Sequence, residues 1–137
     1  MLPSDHVVAE ALSADAECDI TQDAAVPEGK MGLDIGPETV AAYALEIRAA
    51  RTLLWNGPMG VFELEPFASG TLTIAEEMAA AADRGAFVVV GGGDSVAASN
   101  KAGVSKRMSH VSTGGGASLE FLSGMELPGV AALQVTA

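Results

Sequence analysis

The run Ala86-Phe87-Val88-Val89-Val90-Gly91-Gly92-Gly93-Asp94-Ser95 constrains this chain more than any other stretch. An apolar, β-branched segment ends at three glycines. An acid, a hydroxyl and the helix-compatible Val96-Ala97-Ala98-Ser99 follow. That order predicts a buried strand, a tight loop and a helix N-terminus. Such a junction leaves backbone N–H groups free beside the positive end of a helix macrodipole. Glycine lets a ligand approach the backbone closely, so one reading is a phosphate site with Asp94 available to a metal. The other is a plain turn, because glycines often close strands. A second run, Ser112-Thr113-Gly114-Gly115-Gly116-Ala117, repeats the design after another short strand.

The neighbouring segments predict the rest of an α/β layer. Met31–Glu38 reads as a loop feeding a helix, with Pro37 at the first helical position and Glu38 in the first turn. Val40, Tyr43, Ala44 and Ile47 then recur at helical spacing, and Arg48 and Arg51 suit the negative pole. Thr52-Leu53-Leu54-Trp55 predicts a strand cut off by Asn56-Gly57-Pro58. Pro66 opens a second helix whose inner stripe is Phe67, Thr71, Ile74, Met78 and Ala81. Glu76, Glu77 and Asp83 of that helix face water, and Gly85 ends it. Lys101-Ala102-Gly103 closes the third helix. Met108–Ser112 is the last strand, and Ala117–Leu122 forms one or two helical turns stopped by Gly124. Leu127-Pro128-Gly129-Val130 and an apolar tail end the chain. Near the start, His6–Glu10 and Glu17–Ile20 could pair across Ala11–Ala16, and Pro27-Glu28-Gly29 is a turn.

Strands alternating with helices imply βαβ units, hence a Rossmann-like parallel sheet of about three or four strands flanked by helices. Ligands of such sheets sit at the carboxyl ends of the strands. Trp55-Asn56, Gly91–Ser95 and Thr113–Gly116 are three such exits and could open on one crevice.

The chain has 137 residues, which favours one domain with a modest core. Its 7 basic residues against 18 acidic ones give a net charge of −11. That balance argues against nucleic acid and anionic membranes as partners. It also means that a nucleotide bound here leans on backbone N–H groups and metal ions, or on lysines that this sequence does not contain. No apolar run reaches the length of a membrane span, and Met1–Asp5 has no basic region of a signal peptide. The single Cys18 rules out an internal disulfide and fits a reducing cytoplasm.

Several familiar chemistries are excluded by pattern. Neither glycine run matches G-x-x-x-x-G-K-S/T, and neither fits a dinucleotide fingerprint with helix and acid in place. No histidine, cysteine or acid cluster has zinc spacing, and no Gly-x-Ser-x-Gly elbow occurs. A lone histidine such as His110 is more often a satisfied structural residue than a base, Asn56-Gly57-Pro58 could be only a turn, and Glu63 only a solvated acid. Anion binding plus a metal-binding carboxylate remains, a combination that suits phosphoryl transfer.

Four stretches taken together resemble the phosphoglycerate kinase family. They are Gly32-Leu33-Asp34-Ile35-Gly36-Pro37, Trp55-Asn56-Gly57-Pro58-Met59-Gly60-Val61-Phe62-Glu63, Gly91–Ser95, and Ser109-His110-Val111-Ser112-Thr113-Gly114-Gly115-Gly116-Ala117-Ser118-Leu119-Glu120. They stand in that family's order and at about its spacing, and Leu127-Pro128-Gly129-Val130 matches its closing segment. The resemblance implies that residues 1–137 form part of a C-terminal nucleotide-binding domain. The whole enzyme would be a cytoplasmic glycolytic kinase moving a phosphoryl group between 1,3-bisphosphoglycerate and ADP with Mg2+, giving 3-phosphoglycerate and ATP.

By the same resemblance, Leu33 and Val61 would wall the adenine pocket and Glu63 would accept hydrogen bonds from the ribose. Asn56 would touch the nucleotide phosphates, and Gly92 and Gly93 would offer them backbone. Asp94 would ligate magnesium, with Ser95 at the phosphate-facing helix N-terminus. Gly114, Gly115 and Gly116 would offer N–H groups to the phosphoryl group in flight. Ser112 and Thr113 resemble a hinge toward a second domain. The family's basic phosphoglycerate patch, its catalytic arginine and its nucleotide-phosphate lysines have no counterpart in this sequence. The expected consequences are a 137-residue chain inactive alone, and an open sheet edge and apolar face. These would accept the missing upstream segment or a second copy. The other reading is a non-catalytic nucleotide-binding or assembly fragment.

Overall fold

The computed structural model describes residues 1–133; residues 134–137, the end of the apolar tail, lie outside the described residues. Two small sheets organise the chain. The first contains β1 (His6–Ala9), β2 (Asp19–Ile20) and β3 (Met31–Ile35), in the order β2-β1-β3 with both pairings antiparallel. The expected pairing of the two N-terminal segments is thus present. Met31–Ile35, expected as a loop, is a strand. Its glycine and the following Gly36-Pro37 mask a pattern that only the distant partner β1 completes.

The second sheet contains β4 (Thr52–Asn56), β5 (Phe87–Gly91) and β6 (His110–Ser112), parallel and in sequence order. Around the sheets lie α1 (Pro37–Ala49), α2 (Ser69–Asp83), α3 (Gly93–Lys101), α4 (Gly115–Leu122) and the short α5 (Pro128–Ala131). This is the expected α/β arrangement with a three-stranded parallel sheet. Pro66 does not open α2 directly. It sits in a 3-10 turn over Glu65–Phe67, and α2 starts at Ser69. The stripe Phe67, Thr71, Ile74, Met78 and Ala81 is buried as its spacing requires. Glu77 is partly covered because Arg48 of α1 pairs with it through Nε and Nη2, pinning α1 to α2. Gly85, Gly103 and Gly124 end α2, α3 and α4 with positive φ, each in a Schellman pattern of two reverse hydrogen bonds.

The two faces of the parallel sheet differ. Trp55, Val88 and Val90 point into the main core with Ile74, Met78 and Ala98. On the other face Leu54 is 40% exposed and Phe87 55% exposed, although the strands are apolar on both sides. With Val89, Phe121, Leu122 and Leu127 they line an apolar concavity of about 460 Å³. Within the described residues β4 and β6 each pair only with β5. No helix among the described residues is long and apolar enough to cross a membrane.

Two buried carboxylates close the N-termini of α1 and α2 from far away in sequence. Asp5 accepts from the amides of Glu38 (2.9 Å) and Thr39 (2.8 Å) and from the Thr39 hydroxyl (2.6 Å). Gly36 lies so close that a Cβ there would overlap the Asp5 carboxylate. Asp34 accepts from the amides of Gly70 (2.6 Å) and Ile35 (2.9 Å), with Gly60 and Gly70 pressed against it in the same way. Burial raises the Asp34 carboxyl from 3.8 to about 6, and the two amides pull it down without reversing the shift.

That shift has a sign that can be measured. The native state holds the Asp34 proton more tightly than the unfolded chain does, so this group's contribution falls as pH rises from about 4 to about 6 and is flat above. Relative to Asp34→Asn, the wild type should lose about 2–3 kcal/mol over that window in urea titrations. Parallel pH curves for the two proteins would show that Asp34 titrates as an ordinary carboxyl.

Candidate functional site

The parallel register places three strand exits in one row, with Asn56 opposite Gly91 and Gly91 opposite Ser112. The exits are bound to one another. The Gly92 amide donates to the Ser112 carbonyl (2.9 Å), and the Gly57 amide donates to the Ser95 hydroxyl (2.6 Å). Gly92 has φ +91°, which a side chain would strain. A Cβ on Gly115 would stand 2.7 Å from Gly92 Cα and 3.1 Å from Asn56 Oδ1. Gly92 and Gly115 are therefore packed backbone to backbone at the carboxyl edge of the sheet, with the Asn56 side-chain amide against both.

Two helices begin at this edge, and their N-termini differ from those of α1 and α2. The Gly93, Asp94 and Ser95 amides of α3 make no hydrogen bond among the described residues. The same is true of the Gly115, Gly116 and Ala117 amides of α4. Gly114 donates to the Ser112 hydroxyl (3.2 Å) and so is partly engaged. α4 starts at Gly115, earlier than the expected Ala117, so the second glycine run is itself the first turn of a helix. Two macrodipoles thus present unpaired N–H groups at one edge, an arrangement that receives anionic oxygens. A Cβ at Gly93 or Gly116 would meet no atom of another segment within 4 Å, which leaves the approach open.

Asp94 lies exposed in the first turn of α3. No group of three or more metal-ligating side chains occurs among the described residues. Magnesium is held by one or two carboxylates together with waters and substrate phosphates. A single carboxylate beside open N–H groups fits an ion that arrives with phosphates, and does not fit a protein-only cage. Ser95 is fully buried and its oxygen already accepts from Gly57. It fastens the β4 exit to α3.

Leu33 of β3 and Val61 of the segment after β4 come together away from this edge. The Val61 amide donates to the Leu33 carbonyl (2.9 Å), and both belong to a small cluster with Phe67. Glu63 is exposed, and its side chain forms no hydrogen bond among the described residues. The loop from Asn56 to Glu63 runs beside α3, whose nine residues span about 12 Å. Three supporting residues escaped the reading by residue type. Thr71 accepts from the Met59 and Gly60 amides (3.0 Å each), Asp34 braces Gly60, and Lys101 reaches the Phe62 carbonyl. An acid flanked by Leu33 and Ile35 is unusual in an apolar strand, but nothing in the sequence says which amides it caps.

Comparison with known proteins bears on this geometry. A family model described as phosphoglycerate kinase matches residues 1–125. The chain belongs to the phosphoglycerate kinase family. The phosphoglycerate kinase of Chloroflexus aurantiacus is 63% identical over 134 residues, which cover 98% of this chain and 34% of the relative. That of Chlorobium limicola is 59% identical over 133 residues, 97% of this chain and 34% of the relative. The solved phosphoglycerate kinase of Coxiella burnetii superposes with a TM-score of 0.87 at 44% identity, covering 96% of this chain and 33% of that one. The Pyrococcus horikoshii enzyme gives 0.77 at 39% identity, covering 96% of this chain and 32% of that one. The chain thus spans about a third of the length of the phosphoglycerate kinases it matches.

Proposed function

We propose that this chain is the C-terminal, nucleotide-binding part of a phosphoglycerate kinase. The whole enzyme is a cytoplasmic phosphotransferase of glycolysis, exchanging a phosphoryl group between 1,3-bisphosphoglycerate and ADP to give 3-phosphoglycerate and ATP. One observation carries the reading. The helices that follow β5 and β6 keep open N-termini at a single edge, while the other two long helices are closed by buried carboxylates. An edge held open in this way suits the phosphates of a nucleotide. Leu33 and Val61 flank the base, Glu63 takes the ribose hydroxyls, and Asn56, Gly92, Gly93 and Ser95 frame the phosphates. Asp94 holds Mg2+ carried by the phosphates. Gly114, Gly115 and Gly116 face the phosphoryl group being transferred, where preorganised N–H donors lower the barrier.

The chain alone does not turn over, because the residues that hold phosphoglycerate lie in the remainder of the family's length. That remainder packs against the apolar face of Leu54, Phe87 and Val89 and pairs with the β4 edge. Strands apolar on both sides are what a doubly covered parallel sheet requires. Without it, the same surface draws two copies together.

Calorimetric titration of ADP with and without Mg2+, on wild type and Asp94→Asn, tests the nucleotide reading. Mg2+ should strengthen binding to the wild type, and that gain should fall roughly tenfold or more in Asp94→Asn. Asparagine caps helices about as well as aspartate, so the fold survives the exchange. A wild type that binds no ADP removes the reading. An Asp94→Asn variant that keeps the full Mg2+ gain removes only the metal assignment.

A further inference from the structure

We propose that Lys101 is a positioning residue for the base and ribose half of the site, an inference that rests on the nucleotide reading above. Lys101 ends α3, where a cation commonly complements the negative pole of its own helix. Here its ammonium reaches across to another segment. It donates to the Phe62 carbonyl (2.5 Å) and the Glu63 carbonyl (3.3 Å), and lies 5.9 Å from the centre of the Phe62 ring. The Phe62 ring is buried in the main core, so these carbonyls belong to a firmly seated backbone. At the other end of α3, Ser95 holds the same loop through Gly57. α3 therefore clasps the loop twice, and Val61 and Glu63 lie at the Lys101 end. Lys101 touches neither base nor phosphate in this reading. It fixes the distance between the wall that takes the base and the helix end that takes the phosphates.

Two small probes separate the halves of the site: adenosine for the base and ribose, inorganic diphosphate for the open helix ends. Both are titrated into the 137-residue chain as wild type, Lys101→Met and Lys101→Arg. Lys101→Met keeps the aliphatic stem and removes the donors, and should weaken adenosine about tenfold. Diphosphate binding should stay within about twofold, because the N-terminus of α3 lies a helix length away. Lys101→Arg, which keeps charge and donors, should recover most of the loss. Hydrogen exchange without ligand supplies an independent readout. The Val61 and Leu64 amides should exchange about tenfold faster in Lys101→Met, while Val96, inside α3, stays unchanged. Wild-type adenosine affinity in Lys101→Met, equal losses for both probes, or unchanged exchange at Val61 and Leu64 would each overturn the assignment. A wild type that binds neither probe fails the nucleotide reading itself and takes the Lys101 role down with it.

Discussion

Asp5→Ala should cost the chain about 3–5 kcal/mol of stability, because it strips a buried helix end of its only charged acceptor. Asp5 is 1% exposed and takes three hydrogen bonds from Glu38 and Thr39. Without the carboxylate, the buried Thr39 amide and the half-buried Glu38 amide at the start of α1 lose their acceptor. Asp5→Asn should lose less, since one oxygen remains to accept, while its NH2 group opposes the second amide. Gly36→Ala should resemble Asp5→Ala, as the added methyl would occupy the carboxylate's place. Burial pushes the Asp5 carboxyl upward, but the Thr39 hydroxyl and the Glu38 and Thr39 amides outweigh it and hold the group below 3.8. The contribution is therefore complete above the ordinary carboxylate range and disappears as pH falls through the lowered native value. Urea unfolding at pH 7 measures all three variants. An Asp5→Ala midpoint close to that of the wild type would show that water reaches the start of α1.

Gly115→Ala and Gly116→Ala should part company, although the residues are neighbours in one glycine run. The Gly115 methyl would meet Gly92 Cα at 2.7 Å and Gly92 N at 3.0 Å, both backbone atoms of the adjacent strand exit. Either the β6 exit moves away from the β5 exit or α4 tilts, at a cost of about 2 kcal/mol. ADP affinity should fall with it, because the row of exits is what the two open helix ends share. The Gly116 methyl meets nothing within 4 Å, and alanine is the better helix former, so that variant should be neutral or up to about 1 kcal/mol more stable. Thermal unfolding of the pair decides the matter. Equal effects would mean that the close approach at Gly115 is not maintained in solution.

What could be read from the sequence was local. The junction from Val90 to Ser95, Pro37 at a helix start and the glycine stops after α2, α3 and α4 all declare themselves within a few residues. β3 did not, since Gly32 and Pro37 punctuate it and its partner strand lies across two turns. The site divides in the same way. Its candidate members stand in ordered motifs, and the register row from Asn56 to Ser112 explains why three separate motifs meet. Their supports were not legible. Asp34 sits inside a motif but braces Gly60 and Gly70, and a lysine in a last helical turn carries no sign that it grips Phe62 and Glu63. Ser95 stands at the start of α3 as its motif suggests, but that its hydroxyl also fastens Gly57 is not written in the motif. Such roles depend on where a side chain ends, which residue type alone does not state.

The two capping aspartates also bear on how the chain reaches its fold. Asp5 and its amide partners are 33 and 34 residues apart, and Asp34 and Gly70 are 36 apart. Neither α1 nor α2 gains its cap until a loop of that length has closed, an event whose entropic cost precedes any reward. Short helices are marginal before tertiary packing arrives. The N-terminal strand and the 57–70 segment must therefore be in place before either helix has its cap, which ties helix stability to long-range closure.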